Sequence, residues 1–291
     1  MIIAEKIIVK EKEGNLTKSQ KAALKYILDH YEEAIFLPAS SLARKIGVSE
    51  ATIIRLAQAM GFKGFPEFKR ALQSSIKEKI STVSRLEHTV SHIKDEEDTL
   101  IKVFQEDIGN LSQTLKDISI DTFIKVVKEI KRAERIFIIG LRSAYSLSIF
   151  FGTTLRYIGK DVRVLKPDHG EFWDHTATWR KSDLVIGISF PRYAKTTIDA
   201  VQYAREKGLK CIGITDHFLS PLAKHCDLVL TARCGIDSYV ESFTAPLSLI
   251  NAIVTAVSVH DPDKTLKSLK KLEAVWSERD IYIHQEEMEV K

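Results

Sequence analysis

The sequence has few cysteines and no long apolar run. Its three cysteines, Cys211, Cys226 and Cys234, are odd in number and form no Cys-x-x-Cys pair. This pattern is typical of reduced thiols in a cytoplasm and argues against a disulfide framework or a zinc site. Charged residues such as Glu5 and Lys6 interrupt the apolar N-terminal stretch, and no other apolar run approaches about 18 uninterrupted residues. The sequence therefore predicts a cytoplasmic protein with no signal peptide and no membrane partner.

The positive charge is concentrated at the N-terminal end of the chain. The 291 residues carry a net charge of +4 and are 44% apolar, as expected for a globular protein of about two domains. Residues 1–80 hold 14 lysines and arginines against 9 acids, whereas the remaining residues hold 29 against 30. The excess favours a polyanionic partner for the N-terminal segment, although a solvated surface would also accommodate it.

The hydrophobic pattern predicts two domains of different class. Residues 1–77 have helical periodicity, residues 78–98 form a polar linker, and residues 99–291 alternate short β-branched runs with helical segments. Runs that are apolar on both faces and separated by helices indicate a doubly wound parallel sheet, so the second domain is α/β. The predicted strands are RIFIIG (135–140), DVRVL (161–165), DLVIGIS (183–189), KCIGIT (210–215) and DLVLTA (227–232).

Three helices follow one another in the N-terminal part. Thr17 and Gln20 have the spacing of a capping box at the start of the first helix. The second helix, SSLARKI, ends at Gly47, because glycine readily adopts the left-handed conformation that ends many helices. Ser49 is placed to cap the third helix. Two helices joined by a tight turn form a helix-turn-helix, whose second helix can enter the DNA major groove.

The third helix has an apolar face and a polar face. Its predicted inward residues are Ile53, Leu56, Ala57 and Met60. On the outer face, hydroxyl and guanidinium groups suit contacts with bases and phosphates of double-stranded operator DNA. The alternative is a helical interaction module whose polar face is merely solvated. The predicted DNA-binding residues are Ser49, Thr52, Arg55, Gln58, Lys45 and Lys63.

The segment from Leu42 to Phe68 resembles the N-terminal domain of the RpiR family of bacterial transcriptional regulators. It matches the family's Leu-Ala-x-x-x-Gly-Val-Ser turn, a following Thr and Arg, and then Gly-Phe-x-Gly-Phe-x-Glu-Phe. The family couples this domain to a C-terminal SIS (sugar isomerase) domain, and the resemblance extends over nearly the whole chain. It implies a regulator of sugar or carbohydrate-derivative metabolism that binds a small phosphorylated sugar or similar anion. It also implies a homodimer or homotetramer, because SIS domains generally pair.

Two strand-to-helix turns in the second domain carry hydroxyl and basic groups. Gly140, Arg142 and Ser143 follow the first predicted strand, and Ser189 ends the third, with Thr196 or Thr197 expected to cap the next helix. Helix N-termini at the carboxyl edge of a parallel sheet suit an anion. Taken alone, such residues are more often ordinary loop and capping residues.

The resemblance to SIS domains implies that Ser143, Ser189 and Thr196 hold the ligand. Two loops depart from the family pattern, because Leu141 and Arg142 replace smaller residues and Phe-Pro-Arg replaces a Ser-Gly or Thr-Gly pair. The effector is therefore a phosphorylated sugar, an amino sugar phosphate or a different small anion. Glu241 is a candidate acceptor for a ligand hydroxyl, or a first-turn acid favoured by the helix dipole. The predicted effector-binding residues are Gly140, Arg142, Ser143, Ser189, Arg192, Thr196 and Glu241.

The segment PDHGEFWDHTATW raises the alternative of an enzyme. Its His169, Glu171, Asp174 and His175 match no zinc spacing, so no metal and no cofactor are predicted. A histidine or glutamate near a sugar could move a proton between adjacent carbons, as in a phosphosugar isomerase with an accessory helical domain. That alternative leaves the basic helix-turn-helix without a role, so a regulator without catalytic residues is the favoured interpretation.

Overall fold

The structure is a computed structural model of the chain. It describes residues 16–29, 34, 37–70, 72, 82–166, 172–218, 220–235 and 238–283. The chain divides into two compact units, Met1–Val103 with Ile236–Glu241, and Phe104–Gly235 with Ser242–Lys291. They are referred to below as the N-terminal unit and the sheet unit.

The first helix of the N-terminal unit, α1 (Lys18–Asp29), begins with the predicted capping box. The Thr17 amide donates to Gln20 Oε1 at 2.8 Å, and the Gln20 amide donates to Thr17 Oγ1 at 3.3 Å. Both bonds satisfy N–H groups that have no partner within the helix. The prediction of this helix start is therefore confirmed.

Helices α2 (Ala39–Ile46) and α3 (Glu50–Ala59) form the helix-turn-helix. Gly47 between them has a φ of 79°, which is the left-handed conformation that the sequence predicts there. Ser49 caps α3, because its hydroxyl accepts the Thr52 amide at 3.2 Å. The local sequence thus determines where α2 ends and where α3 begins.

The three helices enclose one apolar core. The predicted inward face of α3 is confirmed, since Ile53, Leu56 and Ala57 are 0% exposed and Met60 is 7% exposed. Burying each large aliphatic side chain stabilises the fold by about 1.5–3 kcal/mol. The other large side chains that are fully buried in this core are Leu24, Ile27, Leu42 and Phe68.

The predicted linker contains a helix. Residues 65–70 are helical, and α4 (Thr82–His92) follows within the segment predicted to be a polar linker. Val83, Leu86 and Val90 recur along α4 and remain exposed. Arg85, in contrast, is buried.

The sheet unit is a five-stranded parallel sheet in the order β2-β1-β3-β4-β5. All five predicted strands are present, and their bounds agree with the predicted ones to within one residue. The doubly wound α/β class predicted from the sequence is confirmed. The strands are β1 (Arg135–Ile139), β2 (Asp161–Val164), β3 (Leu184–Ile188), β4 (Lys210–Thr215) and β5 (Leu228–Thr231).

Helices cover both faces of the sheet. Ile136 and Ile138 of β1 face the core formed with α6 (Ile120–Arg132), α7 (Tyr145–Tyr157) and α9 (Thr244–His260). Phe137 and Ile139 face the core formed with α8 (Lys195–Glu206). Burial on both faces explains why each strand is almost wholly apolar. Two further helices are α5 (Glu96–Asp117), which precedes α6, and α10 (Pro262–Glu278), which follows α9.

The last helix, α10, was not predicted. It begins at Pro262, and the Asp261 carboxylate accepts the Lys264 amide at 3.1 Å. None of its residues is buried. Among the described residues, no helix is long and apolar enough to cross a bilayer.

Candidate functional sites

The outer face of α3 presents the predicted DNA-binding residues. Arg55 and Gln58 are exposed, and Thr52 is half-buried. The Ser49 and Thr52 hydroxyls are hydrogen-bonded to each other at 2.9 Å, so both belong to the cap of the helix. The face therefore offers one guanidinium and one amide to a partner, with two hydroxyls at its N-terminal end.

Basic residues flank this face. Lys45 at the end of α2 and Lys63 after α3 are exposed, and the Lys63 amide donates to Glu67 Oε2 at 2.6 Å. Lys69, another basic residue of this region, donates from Nζ to the Leu37 carbonyl oxygen at 3.0 Å. The Lys69 ammonium is thus hydrogen-bonded to the backbone just before α2, whereas the Lys63 side chain is exposed.

The loops that follow β1 and β3 form a second candidate site. These strands are adjacent, with Ile139 of β1 paired to Gly187 of β3. The chain continues from β1 into α7 on one face of the sheet and from β3 into α8 on the other face. Such a divergence is a topological switch point, where ligands bind in open α/β sheets. The order of the five strands places the switch point between β1 and β3.

Gly140 allows the first loop to pass close to α7. A Cβ on this residue would clash with the Ser148 hydroxyl and lie 3.0 Å from the Ala144 carbonyl oxygen and 3.1 Å from Ile188 Cβ. The buried Ser148 hydroxyl donates to the Ala144 carbonyl oxygen at 3.2 Å. Gly140 is therefore required for the shape of the loop rather than for its flexibility.

Both loops hold an arginine in the left-handed conformation. Among the described residues, three non-glycine residues have positive φ, and two of them are Arg142 at 61° and Arg192 at 69°. Such a conformation costs about 1–2 kcal/mol for a residue other than glycine, and strained residues of this kind cluster at ligand sites. Both side chains are exposed, and within the described residues neither guanidinium has a hydrogen-bond or ion-pair partner.

The serines of the two loops lie in different environments. Ser143 is exposed in a short 3₁₀ turn, and its carbonyl oxygen accepts the Ser146 hydroxyl at 2.9 Å. Ser189 is buried at the end of β3, where its amide donates to the Ile214 carbonyl oxygen at 3.1 Å. The two serines follow strands of one sheet, as the sequence predicts, and the structure makes these strands neighbours.

The predicted cap of α8 is wrong. The helix begins at Lys195, and its N-cap is Ala194, so Thr196 and Thr197 lie inside the first turn. Ala194 takes the extended conformation that a cap requires, but it has no side-chain hydroxyl to accept a bond. Thr196 is half-buried, whereas Thr197 is fully buried and its hydroxyl has no hydrogen-bond partner in the described structure. Lys195 forms an ion pair with Asp199.

The second loop is anchored by residues that sequence reasoning missed. The Tyr193 hydroxyl bonds both carboxylate oxygens of Asp216 at 3.0 Å, and Thr215 at the end of β4 donates to the same carboxylate. The Phe190 ring packs against the Phe243 ring with centroids 5.4 Å apart. These contacts fix the loop between two neighbouring elements, and their long sequence separation left no local signal.

Glu241 lies in a different setting from the one predicted. The sequence placed it at the start of the last long apolar helix, but α9 begins at Thr244. The hydroxyls of Ser242 and Thr244 both donate to Asp107 near this start. Glu241 belongs to the N-terminal unit, where its carboxylate pairs with Arg85 at 2.8 Å. Arg85 was not among the predicted site residues.

Two of the four residues that suggested an enzyme lie within the described part of the chain. His169 and Glu171 lie outside the described residues. Asp174 and His175 are exposed in a 3₁₀ turn. Within the described part of the chain, no group of three or more His, Cys, Asp or Glu side chains could hold a metal ion.

Two of the three cysteine thiols, those of Cys211 and Cys226, lie in surroundings that disfavour the thiolate. Burial raises the pKa of Cys211 to about 12, and it raises the pKa of Cys226 as well. Both thiols are therefore protonated near neutral pH, and neither is suited to act as a nucleophile.

Comparison with known proteins matches two segments of the chain to family models. The helix-turn-helix domain of the rpiR family matches residues 1–79, and the SIS domain matches residues 129–256. An uncharacterised HTH-type transcriptional regulator from Clostridium perfringens is 30% identical over 215 residues, which are 74% of this chain and 76% of that protein. The HTH-type transcriptional regulator HexR of Escherichia coli is 24% identical over 91% of each chain.

Solved structures show the same fold. The sugar isomerase domain of an RpiR transcription factor from Sphaerobacter thermophilus has a TM-score of 0.58 at 28% identity and covers 60% of this chain and 97% of its own. The NanR protein of Vibrio vulnificus, complexed with ManNAc-6P, has a TM-score of 0.59 at 21% identity over 93% of this chain and 97% of its own. The chain belongs to the RpiR family of helix-turn-helix transcriptional regulators with a C-terminal SIS domain.

Proposed function

We propose that this regulator binds operator DNA through α3 and that a phosphorylated sugar bound at the switch point controls its DNA affinity. Residues 1–80 carry the excess of positive charge that a polyanionic partner favours. The effector proposal rests on one observation, the pair of left-handed arginines, Arg142 and Arg192, whose guanidinium groups have no partner in the described residues.

In the DNA complex, Arg55 and Gln58 read base edges in the major groove. A guanidinium suits the two acceptors of guanine, and an amide suits the donor and acceptor of adenine. Thr52 contacts a base or a phosphate, and Ser49 contacts a phosphate at the start of the helix. Lys45 and Lys63 add phosphate contacts on either side.

In the effector complex, Arg142 and Arg192 receive the phosphate group. Each guanidinium presents several N–H donors that match phosphate oxygens, and charge-assisted bonds of this kind are strong. Ser143, Ser189 and Thr196 add hydroxyl donors from both loops. Gly140 keeps the first loop close enough to the second.

The effector is a phosphorylated sugar, an amino-sugar phosphate or a related small anion. The NanR structure with ManNAc-6P supports this class, because that protein shares the fold over nearly the whole chain. The loop at Phe190–Tyr193 contributes aromatic and proline side chains in place of a glycine-rich cradle. We therefore infer that the site binds a phosphate group, whereas the rest of the ligand differs among relatives.

We also propose that the protein is a homodimer or homotetramer that works in the cytoplasm, where bacterial operator DNA lies. An apolar groove of about 460 Å³ opens on the sheet unit. Exposed apolar residues on α5 and α6 border it, which is typical of a self-association surface. Two paired helix-turn-helix domains would read a repeated half-site. The groove is lined by Leu111, Leu115, Ile118, Phe123, Leu249 and Ala252, among others.

A phosphosugar isomerase is the competing function, because the SIS fold also occurs in isomerases. It predicts turnover of ketose and aldose phosphates by the purified protein, with loss of activity on replacement of His169 or Glu171. The regulator predicts no turnover and tight, salt-dependent binding to DNA.

A thermal-shift screen of sugar phosphates, amino-sugar phosphates and inorganic phosphate tests the effector proposal. A ligand present at 100 times its Kd stabilises the native state by about 2.7 kcal/mol. For a domain of this size, that corresponds to a rise in Tm of roughly 5–10 °C. The proposal fails if no phosphorylated compound raises the Tm, or if the non-phosphorylated parent sugar raises it equally.

A further inference from the structure

Arg85 on α4 is a buried arginine with unsatisfied donors. The residue is 3% exposed, and its Nη1 donates to Glu241 Oε1 at 2.8 Å. Its Nε and Nη2 atoms are enclosed and have no hydrogen-bond partner in the described structure. A buried donor without a partner has lost its hydrogen bonds to water and gained none in return, which destabilises the native state. An arginine placed in this way requires an explanation beyond its ion pair.

The two unsatisfied donors lie on one edge of the guanidinium. Nε–H and Nη2–H point in the same direction, and this edge accepts a carboxylate or a phosphate through two parallel bonds. Glu241 bonds Nη1, which lies outside that edge, so the ion pair leaves the edge unused. The missing partner is therefore a group with two oxygen acceptors side by side.

We propose that this edge of Arg85 is an oxyanion-binding site in the N-terminal unit. Its occupant is a small molecule bearing a carboxylate or a phosphate group. Glu241, whose side chain is 7% exposed, neutralises the buried guanidinium while the site is empty. This inference goes beyond the switch-point proposal, because none of its residues belongs to the two loops after β1 and β3.

The charge arrangement determines how the site responds to substitution. An incoming anion shares the guanidinium with Glu241, and the two negative groups repel each other. Removing the charge of Glu241 should therefore strengthen anion binding, whereas a purely structural ion pair would only be weakened. Because both donors are enclosed, binding requires a local opening, and exchange should be slow.

The test follows the Nε–H signal of Arg85 by NMR in the full chain, with the Arg142→Gly/Arg192→Gly double substitution to remove the proposed switch-point site. Inorganic phosphate and acetate are titrated separately, at an ionic strength held constant with chloride. The Arg85 signal is assigned by its loss in Arg85→Lys. A second Arg85 signal should grow and saturate with at least one anion, and the responding anion distinguishes a phosphate site from a carboxylate site.

Glu241→Gln in the same background should lower the apparent Kd at least fivefold. Because Glu241 bonds the Arg85 guanidinium, Glu241→Gln also shifts the Arg85 signal and assigns it independently, so this arm remains informative if Arg85→Lys fails to fold. The proposal is overturned if neither anion changes the Arg85 signal, or if Glu241→Gln leaves the apparent Kd unchanged or raises it. The outcome is independent of the switch-point proposal, whose arginines are absent from the protein tested.

Discussion

Replacing Arg192 by glycine should separate the stability of the fold from its affinity for the effector. The left-handed φ of 69° costs about 1–2 kcal/mol with a side chain, and glycine removes this cost. Glycine also loses about 0.5–1 kcal/mol through the greater freedom of the unfolded chain. The native state should therefore be unchanged or more stable by up to about 1.5 kcal/mol.

Effector affinity should move in the opposite direction. A hydrogen bond to a charged group contributes about 1.5–3 kcal/mol, so loss of the guanidinium should raise the Kd for the effector by roughly 10- to 100-fold. Urea unfolding measures the stability, and calorimetric titration with the sugar phosphate that gives the largest thermal shift measures the Kd.

Two further variants control for strain and flexibility. Arg192→Ala removes the charge but keeps the strained backbone, so it should lose the same affinity without the gain in stability. Asp280→Gly changes the third non-glycine residue with positive φ, at 48°, and should leave the Kd unchanged. If Arg192→Gly binds the sugar phosphate as tightly as the parent, the guanidinium does not contact the effector and the reasoning is refuted.

Three substitutions test other parts of the account. Arg55→Ala should weaken binding to the preferred DNA sequence by about 1–3 kcal/mol, while Lys63→Ala should weaken binding to all sequences and reduce the salt slope by about one. DNA titrations at several salt concentrations measure both effects, and a variant that binds DNA as the parent does would contradict its assigned role. Ser49→Ala removes the cap of α3 and should destabilise the N-terminal unit by about 1 kcal/mol in urea unfolding. Gly140→Ala should destabilise the sheet unit by about 1–3 kcal/mol, because its Cβ would clash with Ser148; a variant as stable as the parent would contradict the packing described.

Features set by local sequence were predictable. The bonds between Thr17 and Gln20, the left-handed Gly47 and the cap at Ser49 involve residues within three positions of one another or a single backbone angle. The five strands were equally clear, because burial on both faces leaves an apolar run that is short and bounded by polar residues. Fold class therefore followed from patterns that each segment carries by itself.

Features set by distant contacts were not predictable. Arg85 and Glu241 are 156 residues apart. Each lies in a segment whose sequence is typical of an exposed surface, so neither residue indicates a buried ion pair. The anchoring of Tyr193 by Asp216 likewise depends on which strands are neighbours. Helix α10 was missed although its leucines recur every three residues, and none of its residues is buried.

The switch-point loops illustrate a third limit. Arg142 and Arg192 adopt the left-handed backbone conformation, which arginine disfavours. The conformational preference of arginine therefore predicts a negative φ at both positions. The cap predicted at Thr196 failed for a related reason, because Ala194 supplies the extended conformation without a side-chain bond. Tertiary contacts determine both loops.

The most direct test of the central claim is the effect of the effector on DNA binding. DNA selected from a random pool by the parent protein is titrated by fluorescence anisotropy, with and without the sugar phosphate that raises the Tm most. The parent's Kd for DNA should change by about 5- to 150-fold, as expected for allosteric coupling of 1–3 kcal/mol. The Arg142→Gly/Arg192→Gly variant should bind the DNA as the parent does and show no response to the sugar phosphate. An unchanged Kd for the parent, or an equal response from the variant, would contradict the account.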